Sequence, residues 1–89
     1  MFPDKLDGAK VIMHTPEGDY GSSPSWDGEK LERIAFVAIC KYDRENCYYL
    51  FHCNADFEVL SDFSWFSVEE CKSIAANSYG IREDSWISK

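Results

Sequence analysis

The sequence predicts an α+β domain: an antiparallel β-meander of about four strands with one C-terminal helix packed on its apolar face. Three observations carry that reading. The runs LERIAFVAICKY, CYYLFHC and FEVLSDF are rich in β-branched and aromatic residues, and the short polar groups DREN and NAD separate them, as in consecutive hairpins. The run SVEECKSIAANSY that follows has its apolar residues at helical spacing. At 89 residues the chain is one domain with one core, and 16% aromatic content is an economical way to fill it.

Taken in order, AKVIMH (Ala9 to His14) reads as a short strand. Residues 15–30, TPEGDYGSSPSWDGEK, hold two of the three prolines, three glycines and three serines, which predicts a long loop. The next two strands can be tested by pattern. If Asp43 to Asn46 form the hairpin loop, Tyr42 faces Cys47, Cys40 faces Tyr49, Ala38 faces Phe51 and Phe36 faces Cys53. All these side chains share one face, and all are apolar or nearly so. For the second hairpin, a two-residue loop would turn Glu58 and Asp62 into that core. A three-residue loop, Asn54 to Asp56, pairs Cys53 with Phe57 and Phe51 with Val59 instead, and is preferred because a one-residue slip swaps the faces of a strand.

The opposite face carries Arg33, Ala35, Val37, Ile39 and Lys41 beside Tyr48, Leu50, His52 and Asn54. Its apolar middle must be covered. The candidates are the loop with Tyr20 and Trp26, the C-terminal tail with Trp86, or another molecule. Val37, Ile39 and Leu50, flanked by Tyr48 and His52, therefore form a candidate homodimer face.

FSWFSVEEC, Phe63 to Cys71, joins the last strand to the helix. Ser67-x-x-Glu70 is a capping box, with the serine oxygen accepting from the Glu70 amide and the Glu70 side chain reaching back. Phe66 and Cys71 have the spacing of a hydrophobic staple. Glu69 and Glu70 lie where the helix dipole favours carboxylates. Val68, Cys71, Ile74, Ala75 and Ser78 form one stripe, and Gly80 supplies the C-terminal stop. Only Trp65 is left without a structural role.

Net charge is −7, from nine basic and sixteen acidic side chains, which argues against nucleic acid and anionic membrane as partners. Between Arg44 and Lys72 there is no lysine or arginine, while Glu45, Asp56, Glu58, Asp62, Glu69 and Glu70 all fall there. Such a distribution serves solubility, or docks a basic partner. No apolar run approaches the ~18 residues of a membrane span, and MFPDKLDGAK lacks the pattern of a signal peptide. A complete cytoplasmic protein is expected.

Cys40, Cys47, Cys53 and Cys71 contain no C-x-x-C pair, and no two are directly opposed in the register above, so free thiols are expected rather than disulfides or zinc with His52. Phosphate-loop, dinucleotide, zinc-protease and nucleophile-elbow motifs are all missing. His14 and His52 are the only histidines, and His52 points away from its neighbour Cys53 within one strand. Asp56, Glu58 and Asp62 lack the glycine and terminal glutamate of a calcium loop. No catalytic residue, cofactor or metal is expected.

The run from Tyr48 to Trp86 resembles the C-terminal part of a group of short, uncharacterised bacterial proteins. The likeness rests on Tyr48, Tyr49, Leu50, Phe51 and Cys53, then Phe57, Val59 and Asp62, and then Ser67, Glu69, Glu70, Lys72, Tyr79, Ile81 and Trp86. The chain departs from the pattern at Cys71, where alanine is usual, and at Asn54, where aspartate is. The resemblance implies a bacterial origin and this fold, and it brings no activity with it.

Together these observations predict an acidic, non-catalytic protein that binds another protein. An immunity or inhibitor protein masking a basic enzyme is one concrete form. The expected contact residues are Trp65 as aromatic anchor with Asp56, Glu58, Asp62 and Glu69 around it, the competing view being that Trp65 is a core residue. A structural or regulatory homodimer is the alternative, and a small ligand binder or enzyme comes third.

Overall fold

The computed structural model describes residues 2–25 and 27–89, so Trp26 lies outside the described residues. Its main sheet begins with β1 (Lys5–Leu6) and β2 (Ala9–His14), joined by Asp7 and Gly8 at φ 49° and 84°. Two consecutive residues at positive φ make the tight turn whose twist matches a hairpin, which is why an Asp-Gly pair stands there. The chain then forms β3 (Ser22–Pro24), β4 (Leu31–Arg33), β5 (Phe36–Lys41), β6 (Tyr48–Cys53) and β7 (Val59–Trp65). Helix α1 (Val68–Tyr79), a single 3-10 turn (Glu83–Ser85) and β8 (Ile87–Ser88) complete it. The result is a small sheet-rich α+β domain with one helix among the described residues.

The main sheet runs β1-β2-β5-β6-β7, antiparallel throughout, with β8 beside the end of β2, and it curls into a half-barrel. The four expected strands, β2, β5, β6 and β7, form its body, and the short strands β1 and β8 extend it beside β2. Residues 15–30 are not a free loop. Gly18 and Tyr20 donate backbone hydrogen bonds to Ala35 and Ile34 at 2.9 and 3.0 Å, and β3 pairs with β4, so the segment continues the β2–β5 hairpin irregularly. Thr15, fully buried, accepts from the Val37 amide at 3.1 Å and keeps the two strands joined where their ladder ends.

The first expected register holds: Phe36 pairs with Cys53, Ala38 with Phe51 and Cys40 with Tyr49. The second does not. Cys53 lies opposite Val59 rather than Phe57, and after an extra residue at Leu60, Phe51 lies opposite Asp62 and Leu50 opposite Phe63. The cause is the turn. Asn54 is buried, and its Oδ1 accepts from the amides of Asp56 and Glu58 at 3.0 and 2.9 Å, which closes a longer loop than three residues. Phe57 within that loop adopts φ 64°, a left-handed conformation costing roughly 1–3 kcal/mol for a bulky residue. Its ring offsets that cost by stacking 5.0 Å from Phe36 and meeting Phe2 edge-on at 5.3 Å.

Both faces of the sheet are covered. On one, Phe2, Leu6, Val11, Phe36, Phe51 and Cys53 form a core closed by the curl of the sheet itself. On the other, Val37, Ile39, Leu50 and Leu60 pack against Cys71 and Ala75 of α1 and against Ile81. The helix thus lies on the face opposite to the one expected. The bulge at Leu60 is the physical reason, because it transfers Ser61, Phe63 and Trp65 to the Leu50 side and delivers the chain to that side as the helix starts. No described helix is long and apolar enough to cross a membrane.

Candidate functional site

Strand β7 is the last strand of the sheet, and among the described residues one of its edges pairs with no other strand. Near its start, the β3–β4 hairpin approaches it, with the Ser23 hydroxyl 3.4 Å from that of Ser61. Beyond that point Asp62, Phe63 and Ser64 are exposed, and among the described residues the backbone of Asp62 to Trp65 makes no hydrogen bond beyond its ladder with β6. Phe63 is 55% exposed and Phe66, just past the strand, 86%.

A cleft of about 590 Å³ separates β7 from the β1–β2 turn and is lined by Asp7, Phe57, Glu58, Val59, Leu60, Ser61 and Asp62. Among the described residues three carboxylates and no cation border it. Their field reaches Tyr42, whose hydroxyl donates to the Asp7 carbonyl at 3.1 Å. Burial first, and then the charges of Asp7, Asp62 and Glu45, hold that phenol above its ordinary value.

The residues expected to form one patch are divided. Asp62 and Glu58 share the cleft, although Glu58 also accepts from the Asn54 side chain at 2.8 Å and so helps build the turn. Asp56 is exposed at that turn and does not line the cleft. Glu69 stands apart on α1, in a shallow depression with Lys72, Ser73 and Glu83. Trp65 packs half-buried against the helix core, its Nε1 buried without a partner, because its position opposite Tyr48 sends it to the helix side. It also borders a smaller cleft of about 210 Å³ with Cys47, Ser64, Phe66 and Glu70.

Phe66 corrects a second expectation. Its ring forms no staple. Its amide instead donates to Glu70 Oε1 at 2.9 Å, one residue earlier than the capping box requires, while Ser67 Oγ accepts from the Glu70 amide at 3.1 Å as expected. The roles of the two aromatics are exchanged: Trp65 packs inward and Phe66 outward. Asp7 at the cleft and the exposed Phe63 and Phe66 are the residues around β7 that the sequence does not assign to a site. The Asp-Gly turn and three aromatics within four positions were the available signals.

The face proposed for a dimer is covered within the chain. Val37, Ile39 and Leu50 are fully buried, His52 is 1% exposed and Tyr48 is half-buried, beneath α1 with Met13, Tyr20 and Trp86. Both Tyr20 and Trp86, named above as candidate covers, pack there; Trp26 lies outside the described residues.

His52 is the centre of a buried polar chain. Its Nε2 lies 2.7 Å from the Tyr79 hydroxyl, and its Nδ1 lies 3.1 Å from the Ser61 hydroxyl and 3.3 Å from the Ser61 carbonyl. A carbonyl can only accept, so Nδ1 carries the proton and Nε2 accepts from Tyr79. Desolvation holds the imidazole below its ordinary value, opposed by the Ser61 carbonyl and the Asp62 charge. Cys40, Cys53 and Cys71 are buried free thiols, pushed by desolvation up to about 12, 12 and 11. Among the described residues, no group of three or more His, Cys, Asp or Glu side chains is arranged to hold a metal ion. No family model, curated protein or solved structure matches the chain.

Proposed function

We propose that this acidic chain is a non-catalytic protein that binds a basic protein partner through the open side of β7. The observation that carries the reading is the exposure of Phe63 and Phe66 along the open end of β7, while Asp62, on the other face of the strand, lines a cleft with Asp7 and Glu58 and no lysine or arginine. Exposed aromatics on a small domain are frequent anchors of an interface core, and charge of one sign nearby steers the partner and rejects others. Net charge of −7 adds to that field. Masking a basic enzyme, as an inhibitor or immunity protein does, is one form of this activity.

Affinity capture with wild type and with the double variant Phe63→Ser/Phe66→Ser tests it. A basic protein retained by wild type, released by salt and lost from the variant is the expected result. Partners retained equally by both proteins, or of acidic character, would overturn the reading.

A further inference from the structure

We infer that β7 takes up its partner by strand addition: an extended segment alternating basic and apolar residues pairs with the open backbone of Asp62 to Trp65. The inference rests on the protein-binding reading above and specifies its chemistry.

An unpaired strand edge offers a row of amides and carbonyls to any extended chain. Natural sheets blunt such edges, and β7 is blunted over its first half. The bulge at Leu60 and the Ser23–Ser61 contact with the β3–β4 hairpin obstruct pairing there. The second half is regular, in unbroken register with β6 from Ser61 to Trp65, and it is exposed at Asp62, Phe63 and Ser64.

Charge decides which strand fits. A second copy of this chain pairing antiparallel about the middle of the open stretch would set Asp62 opposite Trp65, leaving the carboxylate without a cation and bringing together two chains of net charge −7 each. Surfaces of one sign repel. The same carboxylate favours a lysine or arginine opposite it. Side chains alternate faces along a strand, so the residues flanking that cation would lie on the side of Phe63 and Trp65, where an apolar neighbour extends the helix-side core. The segment specified is therefore apolar–basic–apolar, from a partner and not from this chain.

The probe is a synthetic peptide of about eight residues alternating valine and lysine, long enough to span the open stretch. Controls are the same peptide N-methylated along its pairing edge, and a valine–glutamate peptide. Binding to the full chain is followed by NMR. The inference expects shifts across Asp62 to Trp65 and slowed exchange at the alternate amides there that β6 does not bond, with the valine–lysine peptide, and at least about tenfold weaker binding after N-methylation, which removes the donors that strand pairing needs. Asp62→Lys, at an exposed position where a thermal melt verifies folding, should invert the preference towards the valine–glutamate peptide. Equal binding of the methylated peptide would overturn strand addition and leave a purely electrostatic protein-binding surface. Shifts confined to another face, or no binding by any peptide, would also overturn it. Failure of wild type to retain a basic protein in the capture experiment, by contrast, strikes the protein-binding reading itself.

Discussion

The hydroxyl of Tyr79 stands 2.7 Å from Nε2 of His52 and so ties the last turn of the helix to the middle of the sheet. Ser61 holds the other ring nitrogen, which makes one imidazole the joint between β6, β7 and α1. Tyr79→Phe leaves that buried nitrogen without a donor and should cost about 1–3 kcal/mol. A urea melt of the variant measures it. An unchanged midpoint would mean the joint carries no stability.

The same imidazole makes stability depend on pH. Above its ordinary value of 6.5 the side chain is neutral in folded and unfolded chains alike, and its contribution is complete. Below that value the unfolded chain takes up the proton first, because burial depresses the folded value. Stability should therefore fall with pH until the folded imidazole protonates as well. Melts between about pH 7 and about 5 should show a shallower decline for His52→Gln than for wild type. Parallel declines would assign the acid sensitivity to other groups.

Asn54 should be among the costliest polar side chains to remove. Its Oδ1 holds the Asp56 and Glu58 amides, and its Nδ2 donates to Glu32 and Glu58 at 3.1 and 2.8 Å. Asn54→Ala should lower stability by about 2 kcal/mol or more, since several bonds of about 1 kcal/mol each are lost together. A loss within a few tenths would show that the turn closes without it.

That turn also marks the limit of what the sequence discloses. The β5–β6 hairpin is legible because its apolar residues alternate and its loop is short. The β6–β7 register is not, because it depends on a phenylalanine at positive φ and on a bulge at Leu60, and neither leaves a local signature. One inserted residue exchanges the faces of the rest of the strand, and with it the side on which the helix packs and the choice between Trp65 and Phe66 as the inward ring. The Asp7–Gly8 dipeptide is the local signal of the β1–β2 hairpin. Acidity along the second half of the chain was plain, but which carboxylates share a cleft depends on the curl of the sheet, which brings Asp7 to Asp62 from opposite ends of it.

The exchange of the two aromatics is directly measurable. Trp65→Ala should cost about 2–4 kcal/mol from lost packing against the helix core, less than full burial would give. Phe66→Ala should fall within about 0.5 kcal/mol of wild type, as exposed substitutions do. Ser67→Ala, which removes the N-cap, should lie between them at about 1 kcal/mol. A large loss for Phe66→Ala would restore the staple.

Val37→Glu places a carboxylate in a fully buried position beneath α1. Loss of folding is the expected outcome, with a penalty of more than about 4 kcal/mol. A folded, soluble variant by sedimentation and circular dichroism would mean that this face is open after all.

The association rate of the captured basic partner, for wild type against Asp62→Lys and at two salt concentrations, tests the binding account most directly. At low ionic strength the variant should associate about tenfold more slowly, and the difference should shrink once the Debye length falls to ~3 Å near 1 M salt. Equal rates for the two proteins at low salt would contradict the account.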